Sequence, residues 1–436
     1  MIAIIGAGIS GLSAAWQLEK KGVDYILLEG SDQPGGYISS VCEHGYVFDQ
    51  GPNSILCDEE ILSFIKEAGL EKEIVYSNEV SKNRYIYKEG KYRKLPSSPV
   101  SLLSSNFFSW LTKLSIFTEL WRKGTGKENE TLADFFNRRF GKEVTDYALN
   151  PFVSGIYAGN PAELLVKETF PSLLEYERKY GSVLKGFIKN ASGERKKSIN
   201  FKKGMQALTD ALAFGIKHKK YNYRISDIKF QDGKYHLSNG KEEVLADKLI
   251  ITIPAFTAAE LLKNIDPGFS NQLKQIQYPP MILVHTVFKK KDVKAALNGF
   301  GALNPKVEKC FTAGSIWTSS VFSNRCPEDE VMFTSFVGGA QYILHTIMKD
   351  DFIKQEVCKE LSTNFKILNT PVLQRLTRWE KAIPQYDSHI LAIKENIKSL
   401  ESKSIFVCAN WHGGVSLTDC IKKGNEIARR ISGTHE

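Results

Sequence analysis

Gly6, Gly8 and Gly11 break an apolar N-terminus at the spacing G-x-G-x-x-G. Each glycine has a physical reason in a turn that takes a pyrophosphate. The first permits a tight strand-to-helix reversal, the second lets backbone approach the phosphates, and the third allows close packing of helix on strand. The phosphates then meet the N–H groups and positive dipole end of the helix. Glu29 lies 18 residues beyond Gly11 and is placed to accept hydrogen bonds from ribose hydroxyls. This set of residues points to a bound dinucleotide, although the motif does not separate NAD from FAD. Gly35-Gly36 shifts the reading toward FAD, as a second point of close backbone approach; a plain turn is the alternative. No second G-x-G-x-x-G follows a strand, so the reductant is expected to meet a resident flavin directly, as substrate. The eight histidines are scattered, with neither a Ser-His-Asp order nor metal-ligand spacing, and no metal is expected. His285 reads as a core or surface imidazole.

The elements that must hold these residues follow from local pattern. Ile2 to Ile5 reads as a strand buried on both faces. Leu12, Ala15, Trp16 and Leu18 recur at helical spacing up to a stop at Gly22, and Tyr25 to Leu28 is a second strand that ends at Glu29. Phe48 to Ser54 (FDQGPNS) is turn-rich and reads as a loop. Asp58 to Ala68 reads as a helix stopped by Gly69, and Arg84 to Leu95 as a hairpin about Glu89-Gly90. From Pro96 to about Gly193 the pattern turns helical. Phe107, Trp110, Leu111, Leu114, Phe117 and Trp121 form one stripe, and Thr131 caps a helix that Gly141 ends. The stripe suits a helix–helix core, or a membrane-surface face flanked by Lys113, Arg122 and Lys123. Beyond Phe201 come a helix (Gln206 to Phe214) and strands that include 234–238 and 248–253. The segment 299–337 is strand-rich, and Ile405 to Val407 is a last buried strand leading through a loop into a helix.

With 436 residues, the chain can form roughly three domain-sized units. Its 42% hydrophobic and 25% charged residues exclude a disordered chain, a collagen and a disulfide scaffold. Seven cysteines, an odd number without C-x-x-C, point to reduced thiols and a cytosolic compartment. The net charge of +9 suits an anionic substrate, a membrane surface or nucleic acid equally. The run Glu194 to Lys203 lacks interleaved aromatic residues and reads as solvated surface, so no nucleic acid is expected. The longest uncharged stretch, Leu95 to Thr112, holds two prolines and six serines and is a poor spanning helix; a signal peptide is likewise not expected.

Nine segments in order carry a resemblance: GAGISGLSAAWQL, FDQGPNS, NPFVSGIYAGNPAEL, FPSLLEYERKYGSVLKG, FKKGMQALTDALA, GFGALNP, IWTSSVFSNRCP, RWEKAIPQY and NWHGGVSLTDCIKKG. The chain resembles the flavin-containing amine-oxidase superfamily and, within it, the oxygen-dependent protoporphyrinogen oxidases. Tyr37 stands where many relatives carry Arg, Asp49-Gln50 where Glu-Leu is common, and Trp317 where Phe is common. The resemblance implies an α/β fold, α+β overall. Residues 1–75, 195–260 and 400–436 would form a discontinuous Rossmann-like FAD domain, 76–95 and 261–399 a mixed-sheet substrate domain, and 96–194 a helical, membrane-associating insert.

The resemblance also implies roles. Gly51, Pro52 and Asn53, with Asn410, Trp411, Gly414, Val415 and Ser416, join Gly6, Gly8, Gly11, Glu29, Gly35 and Gly36 around FAD. The helix after Ser416 is expected to stabilise negative charge on the reduced ring. Arg84 is expected to bind a propionate, its alternative being a solvated hairpin charge. Ala158 and Gly159 are expected to bring backbone to the substrate, the alternative being a strained turn. Leu303 and Trp317 are expected to sandwich the macrocycle, the alternative being ordinary core.

The activity implied is oxidation of protoporphyrinogen IX to protoporphyrin IX in haem synthesis. It takes six electrons in three hydride transfers to flavin, with O2 as acceptor and H2O2 as product. Coproporphyrinogen III oxidation remains open. So do another amine or carotenoid oxidoreduction and, outside enzymes, a tetrapyrrole-binding scaffold. Amine-oxidising members carry a lysine in the strand that here reads PMILVHTVF, where His285 falls near that place. Contact with ferrochelatase, a homodimer and a peripheral position on the cytoplasmic face of the membrane are further expectations of the resemblance.

Overall fold

The computed structural model describes residues 1–433 other than 123, 125 and 191–195. Five parallel strands form the first sheet, in the order 219–220, Tyr25–Leu28, Ile2–Ile5, Lys248–Ile251, Ile405–Val407. The chain therefore returns to this sheet twice from distant sequence. Side chains on a strand alternate between faces. Ile2 and Ile4 accordingly pack with Leu12, Ala15, Leu212 and Ile427 of the helices on one side, while Ala3 and Ile5 join Tyr235, Ala255 and Ile393 on the other. Burial on both faces explains why these strands are continuous apolar runs.

The second sheet is mixed and has seven strands. Their order is Leu373–Trp379, Met281–Lys289, Glu330–Gly338, Gly314–Ile316, Gly301–Leu303, Arg84–Lys88, Lys91–Lys94. The Arg84–Lys88 and Lys91–Lys94 strands form the expected hairpin, with Glu89 (φ 53°) and Gly90 (φ 77°) at its turn. One face packs against the helix Asp350–Phe365, whose buried Ile353, Val357, Leu361 and Phe365 recur every four residues or so. The other face is turned toward the helix Asn150–Tyr157, and Ala158 just past its end packs with Met281 and Leu283.

Between Pro96 and Asn190 the described residues contain helices and no strand. Thr131 caps the helix Leu132–Phe140, and Gly141 follows it at φ 89°. At the centre of these helices lies a buried ion network. Arg139 Nη2 is 2.8 Å from Glu119 Oε1, and Glu119 also accepts from Ser182 Oγ and the N–H groups of Val183 and Leu184. The six-residue stripe is not one helix. The helix starts only at Trp110, Phe107 is buried before it, and Trp110, Leu111, Leu114 and Trp121 point to solvent. The FDQGPNS segment also differs from a pure loop, since Phe48 and Asp49 end the strand Tyr46–Asp49. Asp49 is a buried hub there, accepting from Ser40, Asn200 and Met205.

Candidate functional site

The glycine triplet takes the geometry that its spacing implies. Gly6 turns at φ 106°, and a Cβ there would lie 2.8 Å from Ile253 Cγ2. A Cβ on Gly11 would fall 2.0 Å from the Gly6 carbonyl oxygen, so helix and strand touch. Gly8 is different: a Cβ there meets nothing within 4 Å. The helix Ile9–Lys20 starts at Gly8 without a side-chain cap or an acidic residue in its first turn, leaving its N–H groups facing that open space. Gly35 bridges to Gly8, and a Cβ on Gly36 would lie 3.3 Å from Gly8 Cα. Gly8 of the triplet and the Gly35-Gly36 pair thus line one cradle. Glu29 stands at its edge, its Oε2 accepting from Ala7 N–H at 2.6 Å and its Oε1 from Ser31 N–H and Oγ, which leaves a second lone pair on Oε2.

The remaining predicted cofactor residues gather around this cradle. A Cβ on Gly51 would collide with the Tyr37 carbonyl, so the segment Gly51-Pro52-Asn53 runs directly against the residue after the glycine pair. Asn53 Oδ1 is buried without a partner among the described residues, an orphan acceptor beside the cradle. Tyr37, in place of a charge, is a staple: its hydroxyl donates to the Lys381 carbonyl at 2.8 Å and its ring packs on Trp379. In the loop 410–416, Trp411 is fully buried and donates to the Ile253 carbonyl at 3.0 Å, which ties the loop to the strand end beside Gly6. Its indole is core, so only its backbone is left for a cofactor. At Ser416 the structure departs from expectation. The helix Leu417–Ile431 is closed by a capping box between Ser416 and Asp419, whose carboxylate takes the Ser416 N–H and Oγ–H. That helix end carries an acid of its own, which works against its role as an anion stabiliser. Two residues that pattern does not single out hold the loop: Tyr386, bonded to Asn410 and Gly414, and Lys423. Nothing local marks either one, because both act through folded backbone.

The substrate residues divide by sheet face. Arg84 pairs with Gly301 and Ile86 with Leu303, so Arg84 and Leu303 share one face. Arg84 lies with its guanidinium 3.7 Å over the Phe300 ring and forms no ion pair among the described residues. Packing lowers its pKa from the ordinary guanidinium value, and it stays charged at neutral pH. Gly155 is exposed beside Leu303, where a Cβ would lie 3.0 Å from Leu303 Cδ2. Trp317 is on the opposite face, 2% exposed, stacked on Tyr85 and edge-on to Phe365. It therefore does not share a ring with Leu303. Ile316, one residue earlier and partnered with Gly301, has Leu303's orientation; a shift of one residue reverses the face. Ala158 sits at φ 50° with its carbonyl taken by the Ala340 N–H at 2.7 Å, and the Gly159 carbonyl accepts from Gln341 Nε2. Both residues are buried and each carbonyl is already engaged once, so the strained turn is packed against the strand end at Gly338-Gly339.

His285 shares Leu303's face at the far end of the sheet, under Phe48 at 5.2 Å, and neither ring nitrogen has a hydrogen-bond partner among the described residues. Burial, helped by the Arg375 charge, pushes its pKa down to about 4. The unfolded chain would therefore bind an extra proton below ~6.5, the ordinary histidine value. Stability from this site is complete above that pH and is lost as pH falls toward about 4. His285→Leu is expected to flatten the acid side of the unfolding-temperature profile between these limits. An unaltered profile would assign the acid sensitivity to other groups.

The cradle and the orphaned Asn53 oxygen suit a flavin dinucleotide, and comparisons with known proteins agree. The model of the family "Flavin containing amine oxidoreductase" matches residues 9–432. Protoporphyrinogen oxidase 2, chloroplastic/mitochondrial, of Arabidopsis thaliana is 31% identical over 98% of this chain and 92% of its own. Coproporphyrinogen III oxidase of Staphylococcus aureus is 27% identical over 99% and 98%. A crystal structure from Exiguobacterium sp. 255-15, provisionally assigned as a protoporphyrinogen oxidase, superposes with a TM-score of 0.84 at 20% identity, covering 99% of this chain and 98% of that one. With cradle, sheet order and near end-to-end matches in agreement, the chain belongs to the flavin containing amine oxidoreductase family and is an FAD-dependent oxidase.

Proposed function

We propose that this protein oxidises a porphyrinogen, with protoporphyrinogen as its substrate and O2 as its acceptor. One observation carries the choice of substrate: an uncompensated guanidinium, Arg84, at the open end of an apolar sheet face. Along the paired strands, that face also carries Lys88, paired with Glu143, Arg93, paired with Glu89, Lys289, paired with Asp329 and Glu330, Lys91 at the hairpin turn, and Arg375; Arg84 is the guanidinium among them without an ion pair among the described residues. Arg375 is neutralised by Glu43 at 2.5 Å and covers the Phe48 ring. One free fork suits a macrocycle with two propionates better than one with four. Leu303, Ile316 and Phe336 offer that ring an apolar wall. FAD, when bound, supplies the two-electron acceptor. This chain's own residues orient a bridge carbon and keep water away, and the pyrrole N–H proton leaves to solvent as each C–H bond is broken.

The test is anaerobic mixing of holoenzyme with each porphyrinogen while flavin absorbance is followed. Bleaching that is faster with protoporphyrinogen supports the proposal. Faster bleaching with coproporphyrinogen reverses the substrate choice, and bleaching by neither ends the porphyrinogen reading. Arg84→Ala is expected to raise substrate KM by roughly ten- to a hundredfold, since a hydrogen bond to a charged group contributes ~1.5–3 kcal/mol. Flavin content should stay unchanged, and an unchanged KM would remove Arg84 from the substrate site.

We also propose that the helical segment rests on a membrane surface. Trp110, Leu111 and Trp121 are 70%, 78% and 73% exposed, and Val100, Leu103 and Leu114 extend the same kind of surface. The basic rim expected around it is otherwise employed: Lys113 is bonded inward to the Leu103 and Ser105 carbonyls, and Arg122 to those of Arg138 and Arg139. Lys123 lies outside the described residues. Attachment is therefore expected to be apolar and insensitive to salt, among described residues no helix being long and apolar enough to cross a membrane. Sedimentation with neutral vesicles at low and high salt checks this. Binding only to anionic vesicles at low salt would contradict it.

A further inference from the structure

We infer that Lys423 is a positioning residue for the flavin: its ammonium turns the backbone of the loop 409–415 so that three N–H groups face the cofactor. The inference rests on the reading that this loop borders the flavin. Lys423 lies on the second turn of the helix Leu417–Ile431 and reaches back over the loop that precedes it. Its Nζ donates to the carbonyls of Ala409 (2.7 Å) and His412, with the Gly414 carbonyl at 3.5 Å. It forms no ion pair among the described residues, so its charge is spent on backbone alone.

The geometry of the peptide unit does the rest. In a trans peptide, C=O and N–H point in opposite directions, and the described residues contain no cis bond. Drawing in the carbonyls of 409, 412 and 414 therefore sends the N–H groups of Asn410, Gly413 and Val415 the other way. Those three N–H groups have no acceptor among the described residues. Their neighbours are disposed of: the Gly414 N–H goes to the Tyr386 hydroxyl at 3.0 Å, and the Ser416 N–H to Asp419. Gly413 and Gly414, at φ 73° and 113°, permit the reversals this requires. The helix end itself carries Asp419, so the electropositive side of the loop comes from Lys423 and the three outward donors. Such donors are worth most to the electron-rich reduced ring, and should bind it better than the oxidised one.

The test uses holoenzyme with Lys423→Met, which keeps the stem and removes the charge, and Lys423→Arg, which returns a cation. Lys423→Met is expected to weaken FAD retention at least tenfold, more for the reduced than for the oxidised form. The midpoint potential then becomes more negative, by about 29.6 mV for each tenfold difference in a two-electron couple. Lys423→Arg is expected to recover most of that potential. A merely structural lysine would change thermal stability and leave the potential where it was; that result overturns the inference. If Lys423→Met does not fold, Lys423→Gln is measured in its place against the same criterion. Wild-type protein that retains no FAD would sink the flavin reading as well, whereas wild type that retains FAD beside an unaffected variant sinks this inference alone.

Discussion

Gly8→Val is expected to fold normally and to purify without flavin colour. The position tolerates a side chain as far as the protein is concerned: its φ is −71° and a Cβ meets nothing within 4 Å. What a valine would fill is the space into which the uncapped helix N-terminus faces, the place where a pyrophosphate is expected. Unfolding of the apoprotein should therefore be unchanged while the ratio of visible to ultraviolet absorbance falls to baseline. Gly11→Ala is the contrasting case. Its Cβ would lie 2.0 Å from the Gly6 carbonyl oxygen and 2.8 Å from Thr252 Oγ1, and the backbone oxygen cannot move aside as a flexible side chain can. Overpacking of this kind costs ~1–3 kcal/mol or more, so Gly11→Ala should lose stability as well as flavin. A yellow Gly8→Val protein with wild-type FAD affinity would show that the cradle is not the phosphate site.

Arg139→Met is expected to destabilise the helical segment more than any surface change there. Its side chain is fully buried, paired with a fully buried Glu119 at 2.8 Å, near Glu177 at 3.5 Å, and bonded to the carbonyls of Arg122 and Gly181. Methionine fills similar volume but leaves the Glu119 carboxylate buried without its cation, a loss of ~3–5 kcal/mol, while Glu177 keeps Arg138. Glu119→Gln placed on the same background should give back part of that loss, because the stranded charge is then removed. Calorimetric unfolding of the two single variants and the double checks this. Strictly additive losses would mean that the pair is not coupled. The network holds the segments 119–122, 138–139 and 177–184 together, the frame from which Trp110 and Leu111 project.

The dinucleotide half of the site was legible because its determinants are local. Strand, glycine turn, helix and second strand lie within about 30 residues; Gly6 and Gly11 are required by close contacts with the turn and with the end of the adjoining strand, and Gly8 by the open space at the helix N-terminus. The hairpin at Glu89-Gly90 and the helix capped by Thr131 are legible for the same reason. The helical stripe was only half right. A period of 3.6 gives a face but neither its first residue nor what covers it, and here Phe107 packs inward while Trp110 and Leu111 do not. Pairing across long separations decided the rest. Arg84 reaches Leu303's face because its strand lies parallel to Gly301–Leu303, more than two hundred residues on, and Trp317 is excluded from that face by a single step of register. Tyr386 and Lys423 become visible only when the loop is folded, because they act on backbone carbonyls and N–H groups that every residue possesses. Side-chain type and spacing thus determined where a dinucleotide can bind, since close backbone approach needs glycine whatever the rest of the chain does. Which side chains share the substrate face was left to tertiary structure, because strand alternation has a period of two and its phase is set by distant partners.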